Sequence, residues 1–350
     1  MKLTISKTEL LNALSIVKGT TSNKPILPIG EYAKLEAKKG KLTLHTTDFQ
    51  SSTIHTVDYN DADFAMLLPV NWYIEFLKEL AEQPITITLS ELVLKITTVL
   101  NGEYEIPTED AKDFSKPKKC GEVKFTTSAS DLKAALFAVS DNDLMPQFTG
   151  VAISDKTIRA SNSHILYSHS HSGYTGDAVM FPKKVLSLLP DGDYGVSISK
   201  NEVCFSTEYT QYYTTLVDAV LPPYDSVIPD TTPIQFSFDR LQLLSALKRL
   251  KLFANQVKQS VRFEFTSDGL LLSAKDVDLA KVGKERVDGE LIGEQITIAF
   301  NGVYMQAVLA AMLADTVYIN LTSHSRAAVL RETNVTDDKE SLMLIMPCVL

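Results

Sequence analysis

Met1-Lys2-Leu3-Thr4-Ile5-Ser6-Lys7-Thr8-Glu9-Leu10-Leu11-Asn12-Ala13-Leu14 opens the chain, with apolar residues that first alternate and then recur at helical spacing. Alternation puts Leu3 and Ile5 on one face of a strand, and the later spacing puts Leu10 and Leu14 on one face of a helix. The pattern returns twice. Phe125-Thr126-Thr127 is followed by Leu132 and Leu136, and Phe236-Ser237-Phe238 by Leu243, Leu244 and Leu247. In each copy the apolar helix positions stand 7 and 11 residues after the first strand residue, with Thr8, Ser130 and Asp239 as candidate caps.

A second motif follows 65, 56 and 64 residues into the three copies. Leu68-Pro69-Val70 leads into Trp72, Ile74, Phe76, Leu77 and Leu80; Phe181-Pro182-Lys183 leads into Val185, Leu186 and Leu188; Phe300-Asn301-Gly302 leads into Tyr304, Val308, Leu309 and Met312. Alternating runs lie between and after these helices, among them Leu42 to His45, Ile85 to Leu89, Val196 to Ser199 and Val317 to Leu321. A repeat at this period is one supersecondary unit written several times. The expected class is α+β: three repeated domains, each two helices packed on antiparallel sheets. Clusters of Pro and charge at Lys116-Pro117-Lys118-Lys119 and Pro229-Asp230-Thr231-Thr232-Pro233 place the domains at 1–117, 118–231 and 232–350.

The 350 residues are 45% hydrophobic and 22% charged, the composition of a globular chain able to bury a core in each domain. The longest clean apolar stretches, such as Ala307 to Leu313, fall well short of the ~20 residues a spanning helix needs. The N-terminus lacks the pattern of a signal peptide, so a cytoplasmic location and no membrane partner are expected. Cys120, Cys204 and Cys348 are odd in number with no paired spacing, and read as free thiols in a reducing compartment.

Net charge is −9, which taken alone disfavours nucleic acid. Its distribution points the other way. The helices expected at 6–18, 70–82, 129–140, 183–190, 239–258 and 302–313 together carry +5, leaving −14 on the rest. Helices gathered on one surface would form a mildly basic face on an acidic body, suited to phosphates of any sequence. Lys248, Arg249 and Lys251, with Arg240 and Lys258 nearby, form the densest basic cluster; in an isolated helix such a cluster is an ordinary solvated face.

The residues now in hand resemble those of the bacterial β sliding clamps of replicative DNA polymerase over essentially the whole chain. The resemblance rests on six segments in order: Met1-Lys2-Leu3-Thr4-Ile5 with Leu10-Leu11, Lys24-Pro25-Ile26-Leu27-Pro28-Ile29, Ala160-Ser161-Asn162-Ser163-His164, Leu221-Pro222-Pro223-Tyr224, Phe300-Asn301-Gly302-Val303-Tyr304 and Leu344-Ile345-Met346-Pro347-Cys348-Val349-Leu350. It implies three clamp-type domains per chain, closed head to tail by two chains into a ring around duplex DNA. The function implied is tethering, with no catalysis and no cofactor. The partners implied are double-stranded DNA, the replicative DNA polymerase, a clamp loader, other replication or repair proteins, and a second copy of the chain. A clamp-like adaptor that never closes a ring is the alternative.

The resemblance also carries sites. A partner-peptide pocket is implied at Phe148, Ser161, Ser163, His164, Leu166, Pro222, Val227, Asn301, Tyr304, Leu344, Ile345, Met346 and Pro347. Ring closure is implied where Leu252 and Phe253 meet the Tyr104 and Ile106 strand of a second chain. Lys24 matches a DNA-facing loop position, to which the charge reading adds Lys248, Arg249 and Lys251. Ser163, Ile165, Ser226 and the ending Cys348-Val349-Leu350 depart from the family pattern.

Enzymatic chemistry has one candidate, the trio His164, His169 and His171. His169 and His171 share a strand face, yet no neighbouring Cys or paired carboxylate completes a ligand set, so ordinary strand histidines and no metal are expected. The sequence holds no phosphate-binding Gly-rich loop, nucleophile elbow or CxxC.

Overall fold

The computed structural model describes residues 1–22, 27–60, 62–99, 101–115, 119–171, 173–332 and 341–348. Lys24 therefore lies outside the described residues, as do Lys116 to Lys118 at the first expected boundary.

The first repeat runs β1 (Lys2–Ser6), α1 (Lys7–Val17), β2 (Tyr32–Lys38), β3 (Lys41–Thr47), β4 (Ser51–Asp58), β5 (Phe64–Pro69), α2 (Val70–Lys78), β6 (Pro84–Ser90), β7 (Val93–Thr98) and β8 (Glu103–Pro107). The second runs β9 (Phe125–Ser128), α3 (Ala129–Lys133), β10 (Gly150–Ser154), β11 (Thr157–Ser161), β12 (Ile165–Ser170), β13 (Val179–Pro182), α4 (Lys183–Leu188), β14 (Asp193–Ile198), β15 (Glu202–Ser206) and β16 (Thr210–Thr215). The third runs β17 (Ile234–Asp239), α5 (Arg240–Leu250), β18 (Ser260–Thr266), β19 (Gly269–Asp276), β20 (Lys281–Val287), β21 (Gly289–Ile292), β22 (Ile296–Asn301), α6 (Gly302–Ala311), β23 (Thr316–Leu321), β24 (Ala328–Glu332), β25 (Ser341–Ile345) and β26 (Pro347–Cys348).

Contacts divide the chain into two compact units, Met1–Ala129 with Lys184–Leu216, and Ser130–Lys183 with Val217–Leu350. The first holds a four-stranded sheet, β1-β6-β7-β8, and an eight-stranded sheet, β5-β2-β3-β4-β16-β15-β14-β9. The second holds a nine-stranded sheet, β13-β10-β11-β12-β25-β24-β23-β17-β21, and a five-stranded sheet, β20-β19-β18-β22-β26. One rule generates these orders. In every repeat the opening strand joins three closing strands and four middle strands form their own set, with β21 added beside β17 and β26 beside β22 in the third; in the first two repeats the outer middle strand pairs antiparallel with the outer closing strand of the next. Those junctions are β4 on β16 and β12 on β25.

Strand alternation and helix spacing bury what the sequence marked. Leu3 and Ile5 of β1, Leu10 and Leu14 of α1, Leu35, Leu44, Tyr73, Leu77, Ile85 and Ile87 belong to one buried cluster. In the third repeat, Phe236 packs edge-on against Phe265 and Phe263 against Phe300, each with centroids 5.2 Å apart. Each such side chain contributes roughly 1.5–3 kcal/mol by leaving water.

Several local expectations are corrected. Ser6, not Thr8, caps α1, its Oγ accepting from the Glu9 N–H at 3.1 Å, while the Thr8 hydroxyl donates to Glu82. Asp239 does cap α5 through the Gln242 N–H at 2.7 Å. The helix expected at 129–140 gives five residues of α3 and then i-to-i+3 turns, Ala138 N–H to Ala135 O and Val139 N–H to Leu136 O. The helix expected at 239–258 stops at Leu250, because the Asn255 side chain takes the Val257 and Lys258 N–H groups and turns the chain. Lys258 is thus off the helix and Lys251 is its C-cap. Cys120 and Cys204 are not free thiols: they are disulfide-bonded with Cα atoms 5.9 Å apart, across 84 residues. Spacing along the chain could not reveal this, because the Lys124 N–H to Val196 O bond lays the Cys120 segment beside the second repeat's sheet. Cys348 is the free thiol.

Candidate functional site

The site lies in the second unit, at the junction of β12 with β25. Its first wall is the turn joining β11 to β12. Asn162 Oδ1 accepts from the His164 and Ile165 N–H groups at 3.0 and 2.9 Å, and Ser161 Oγ accepts from Ser163 N–H at 3.1 Å while donating to Ile165 O at 2.8 Å. These bonds hold Ser163 at φ +74°, a left-handed backbone uncommon for a residue with a side chain. Ser163 and His164 consequently project from the surface, and the His164 ring stacks on Tyr304 at 5.1 Å.

The floor is apolar. Leu166 faces Leu344 and Ile165 faces Ile345 in the β12–β25 ladder. Leu166 and Leu344 join Ala152, Met180, Tyr224 and Ala327 in a buried cluster, flanked by half-buried Val217, Leu221, Ile228 and Leu342. Ile345 is fully buried, so of the two expected residues Leu344 belongs to this cluster and Ile345 completes a core strand. Met346 is exposed, but its N–H donates to His164 O at 2.8 Å, tying the chain end to the turn. Pro347 and Cys348 continue as β26, paired with Phe300 and Ala299, so this part of the tail is a strand of the third repeat. Burial raises the Cys348 thiol pKa above its ordinary value.

The second wall is the segment before β17. Pro222 O accepts the Tyr224 N–H at 2.8 Å, and Val227 is exposed beside it. Arg159 of β11 organises this segment: its guanidinium donates to both Asp225 carboxylate oxygens at 3.1 and 2.7 Å and lies over the Tyr224 ring at 5.8 Å. Burial pushes the Tyr224 phenol pKa up to about 12, partly offset by the Arg159 charge. Asn301 caps α6 by accepting from Val303 and Tyr304 N–H at 2.9 and 3.2 Å, so its side chain positions Tyr304. Phe148 ends a short 3-10 turn and its carbonyl accepts the Ser140 N–H at 2.8 Å.

The sequence reading missed Arg159, Ala152, Met180 and Ala327, and quoted Tyr224 without giving it a place in the site. Repeat alignment was the available signal for Arg159. It stands where His45 stands in β3, and each packs on an aromatic of the segment that follows: Arg159 on Tyr224, and His45 edge-on to Phe114 at 5.1 Å.

The other expected residues fall elsewhere. Lys248 and Arg249 occupy the last turn of α5, and Arg249 is engaged by Glu285 of β20 at 2.8 and 2.5 Å, leaving Lys248 and Lys251 as exposed cations. Leu252 and Phe253 follow α5 and are exposed at 70% and 37%, and the Phe253 ring lies close over Gly283 of β20. Tyr104 and Ile106 sit on β8, with Tyr104 exposed and edge-on to Phe76 at 4.9 Å. His169 bonds Ser341 at 2.6 Å and is buried, as is His171, and no cluster of three or more metal-ligating side chains exists among the described residues.

Comparison with known proteins sets this geometry in a family. The model for the DNA polymerase III beta subunit N-terminal domain matches residues 1–117, and that for its C-terminal domain matches residues 225–348. Curated beta sliding clamps of Chlamydia muridarum and Vibrio cholerae are 23% and 22% identical, covering 99% of this chain and 98% and 99% of theirs. The crystal structures of the DNA polymerase III subunit beta of Pseudomonas aeruginosa and of the beta subunit from DNA polymerase of Streptococcus pyogenes superpose over 100% of both chains, with TM-scores of 0.89 and 0.90 at 23% and 22% identity. Two models of one family claiming the two ends of the chain, and relatives of one description spanning its length, place this chain in the DNA polymerase III beta subunit family, the beta sliding clamps.

Proposed function

We propose that two copies of this chain close head to tail into a ring around duplex DNA and hold a replicative polymerase there. As a beta sliding clamp the chain is a processivity factor, and its part in replication is tethering, not catalysis.

The strand orders carry the ring reading. Within the chain the outer middle strand of one repeat pairs with the outer closing strand of the next, as β4 with β16 and β12 with β25. Applied once more, the rule joins β20 of the third repeat to β8 of the first repeat in another copy. Both strands are sheet edges among the described residues, and both are largely exposed. Their charges are opposite: Glu103 and Glu105 on β8, and Lys281, Lys284 and Arg286 on β20. Leu252, Phe253 and Tyr104 add exposed apolar surface beside them. Two chains then supply six repeats with every such edge paired. The same rule supports three domains, 1–117, 118–231 and 232–350.

DNA passes through such a ring without base readout, so contact depends on phosphates and falls steeply with salt. Lys248 and Lys251 suit that role, with Lys24 as a further candidate from the resemblance. The buried apolar cluster of Leu166 and Leu344, with His164, Val227 and Met346 exposed near it, suits an apolar anchor of a partner peptide. Polymerase, clamp loader and other replication or repair proteins would compete for it. A cytoplasmic location fits the family, and no helix among the described residues is long and apolar enough to cross a membrane. The free-thiol argument for a reducing compartment falls with the Cys120–Cys204 bond.

Light scattering across dilution, followed by retention on nicked circular and linearised DNA with a clamp loader, tests the ring. A dimer kept on circles and lost from linear ends is expected; a monomer never retained on circles would overturn the ring in favour of the adaptor reading.

A further inference from the structure

The second helix of a repeat reaches the preceding repeat through a fixed position. Tyr73, Ile74 and Leu77 are buried in α2 where Val185, Leu186 and Leu189 are buried in and just after α4, and Met305 and Leu309 of α6 stand at Tyr73 and Leu77. This alignment puts Trp72, Lys184 and Tyr304 at one position. Two of the three touch a turn of the preceding repeat: Lys184 pairs with Asp48 in the β3–β4 turn, and Tyr304 stacks on His164 in the β11–β12 turn. One helical turn on, Leu188 lies directly over Gly19, the residue that follows the C-cap of α1. Phe76 stands where Leu188 stands.

In the first repeat this position, Trp72, is exposed. Its ring stacks on Phe76 with centroids 5.0 Å apart and planes 12° apart, and Phe76 meets Tyr104 of β8 edge-on. Three rings thus run from α2 to the sheet edge, an exposed apolar surface of the kind that marks an interface.

The third repeat carries the matching turn. Asp276 Oδ1 accepts from the Asp278 and Leu279 N–H groups at 3.1 and 3.2 Å, as Asp48 Oδ1 accepts from Gln50 and Ser51 and Asn162 Oδ1 from His164 and Ile165. Asp276 faces Lys281 across the β19–β20 ladder, and between them Val277 and Leu279 are 72% and 54% exposed. The Asn255 amide donates to Asp278 at 3.5 Å, holding this turn beside the segment that carries Leu252. Leu252 follows the C-cap of α5 as Gly19 follows that of α1.

Where the junction inside the chain has Lys184 and Gly19, the two open ends therefore offer Trp72 and Leu252. Salt screens the opposite charges of β8 and β20 but does not weaken apolar burial in the same way. We propose that Trp72 of one copy packs on the Val277–Leu279 turn of a second copy, with Phe76 against the second copy's Leu252, as an apolar clasp that keeps the junction closed at salt concentrations that screen the strand charges. The clasp rests on the ring reading and names the contact that holds its junction.

Trp72 is the chain's single tryptophan, so its emission reports this contact alone. The full chain is followed across dilution by light scattering and by acrylamide quenching of Trp72, at about 0.1 M and about 1 M sodium chloride, where the screening length falls from ~10 to ~3 Å. As the dimer forms, emission is expected to move to shorter wavelength and quenching to fall at least two-fold. Trp72→Ala, and separately Val277→Ser with Leu279→Ser, are expected to weaken self-association at least ten-fold at both salt concentrations. In the turn variant, Trp72 is expected to stay quenchable at concentrations where the unaltered chain protects it. Thermal melting checks folding, and the variants alter opposite halves of the contact, so misfolding of one leaves the other to decide. A dimer whose Trp72 is as quenchable as the monomer's, undiminished association of a folded variant, or weakening confined to the lower salt would each overturn the clasp and leave the ring standing, since retention on circular DNA decides the ring separately. A chain that stays monomeric at every concentration overturns both.

Discussion

His45 shows how one side chain makes a fold depend on pH. It is 3% exposed on β3, with neither ring nitrogen hydrogen-bonded and Phe114 packed edge-on against it. Burial, aided by the Lys34 charge, lowers its pKa from 6.5 to about 4. Between those values the unfolded chain binds a proton that the folded chain refuses, so its contribution is full above pH ~6.5 and is lost as pH falls towards ~4. The loss is on the order of 3 kcal/mol at ~1.4 kcal/mol per pKa unit. In denaturant titrations from pH 7 to 4, His45→Leu is expected to lose less stability than the unaltered chain by roughly that amount; parallel curves would show that His45 does not titrate as its burial requires. Arg159, at the same repeat position, meets its following segment with a charge already satisfied by Asp225. The two junctions therefore respond to acid differently.

At the scale of elements, what was legible followed periodicity. Opening strands, paired helices and the threefold echo came from apolar spacing alone, because burial of Leu10, Leu132 and Leu243 depends on local geometry. What was not legible depended on contacts far apart in sequence. The Cys120–Cys204 bond spans 84 residues, and the early end of α5 is decided by the Asn255 side chain, which looks like any surface asparagine in sequence. The candidate pocket was reached by resemblance, and its apolar floor shows why resemblance was needed: β12 and β25 lie more than 170 residues apart and meet only through the sheet. The terminal strand is instructive, because it was expected to serve binding and instead also closes the five-stranded sheet. Ending the chain at Ile345 removes both the Met346 N–H bond to His164 and the β26 pairing. It is expected to weaken binding of a polymerase-derived peptide at least ten-fold and to lower the melting temperature by several degrees, since each lost net hydrogen bond costs about 1 kcal/mol. Unchanged binding in a truncated chain that still folds would remove Met346 and Pro347 from the pocket.

Across the whole molecule the chain follows one edge rule twice, at β4 with β16 and at β12 with β25, and leaves β8 and β20 as edges. Exposed edge strands invite pairing, and the acidic β8 and basic β20 would select each other over themselves. Leu252→Ala with Phe253→Ala, which deletes the exposed apolar pair beside β20, is expected to yield monomer in light scattering at concentrations where the unaltered chain is dimeric. Removing apolar groups cannot by itself establish which strands meet, so the sharper experiment exchanges charge. Lys281→Glu with Lys284→Glu places like charges opposite Glu103 and Glu105, and is expected to weaken self-association at least ten-fold at low salt and less at high salt, where screening shortens the reach of the repulsion. A second chain carrying Glu103→Lys and Glu105→Lys meets the same fate alone. In a mixture, the two altered edges meet at one junction and the two unaltered edges at the other, so both junctions set acid against base and a heterodimer is expected where neither variant self-associates. Combining all four changes in one chain restores complementarity as well, because both junctions then carry the reversed pair. The fourfold variant is expected to recover dimerisation where each double variant has lost it. Failure to recover in a chain that folds would mean that β8 and β20 are not the strands that close the ring.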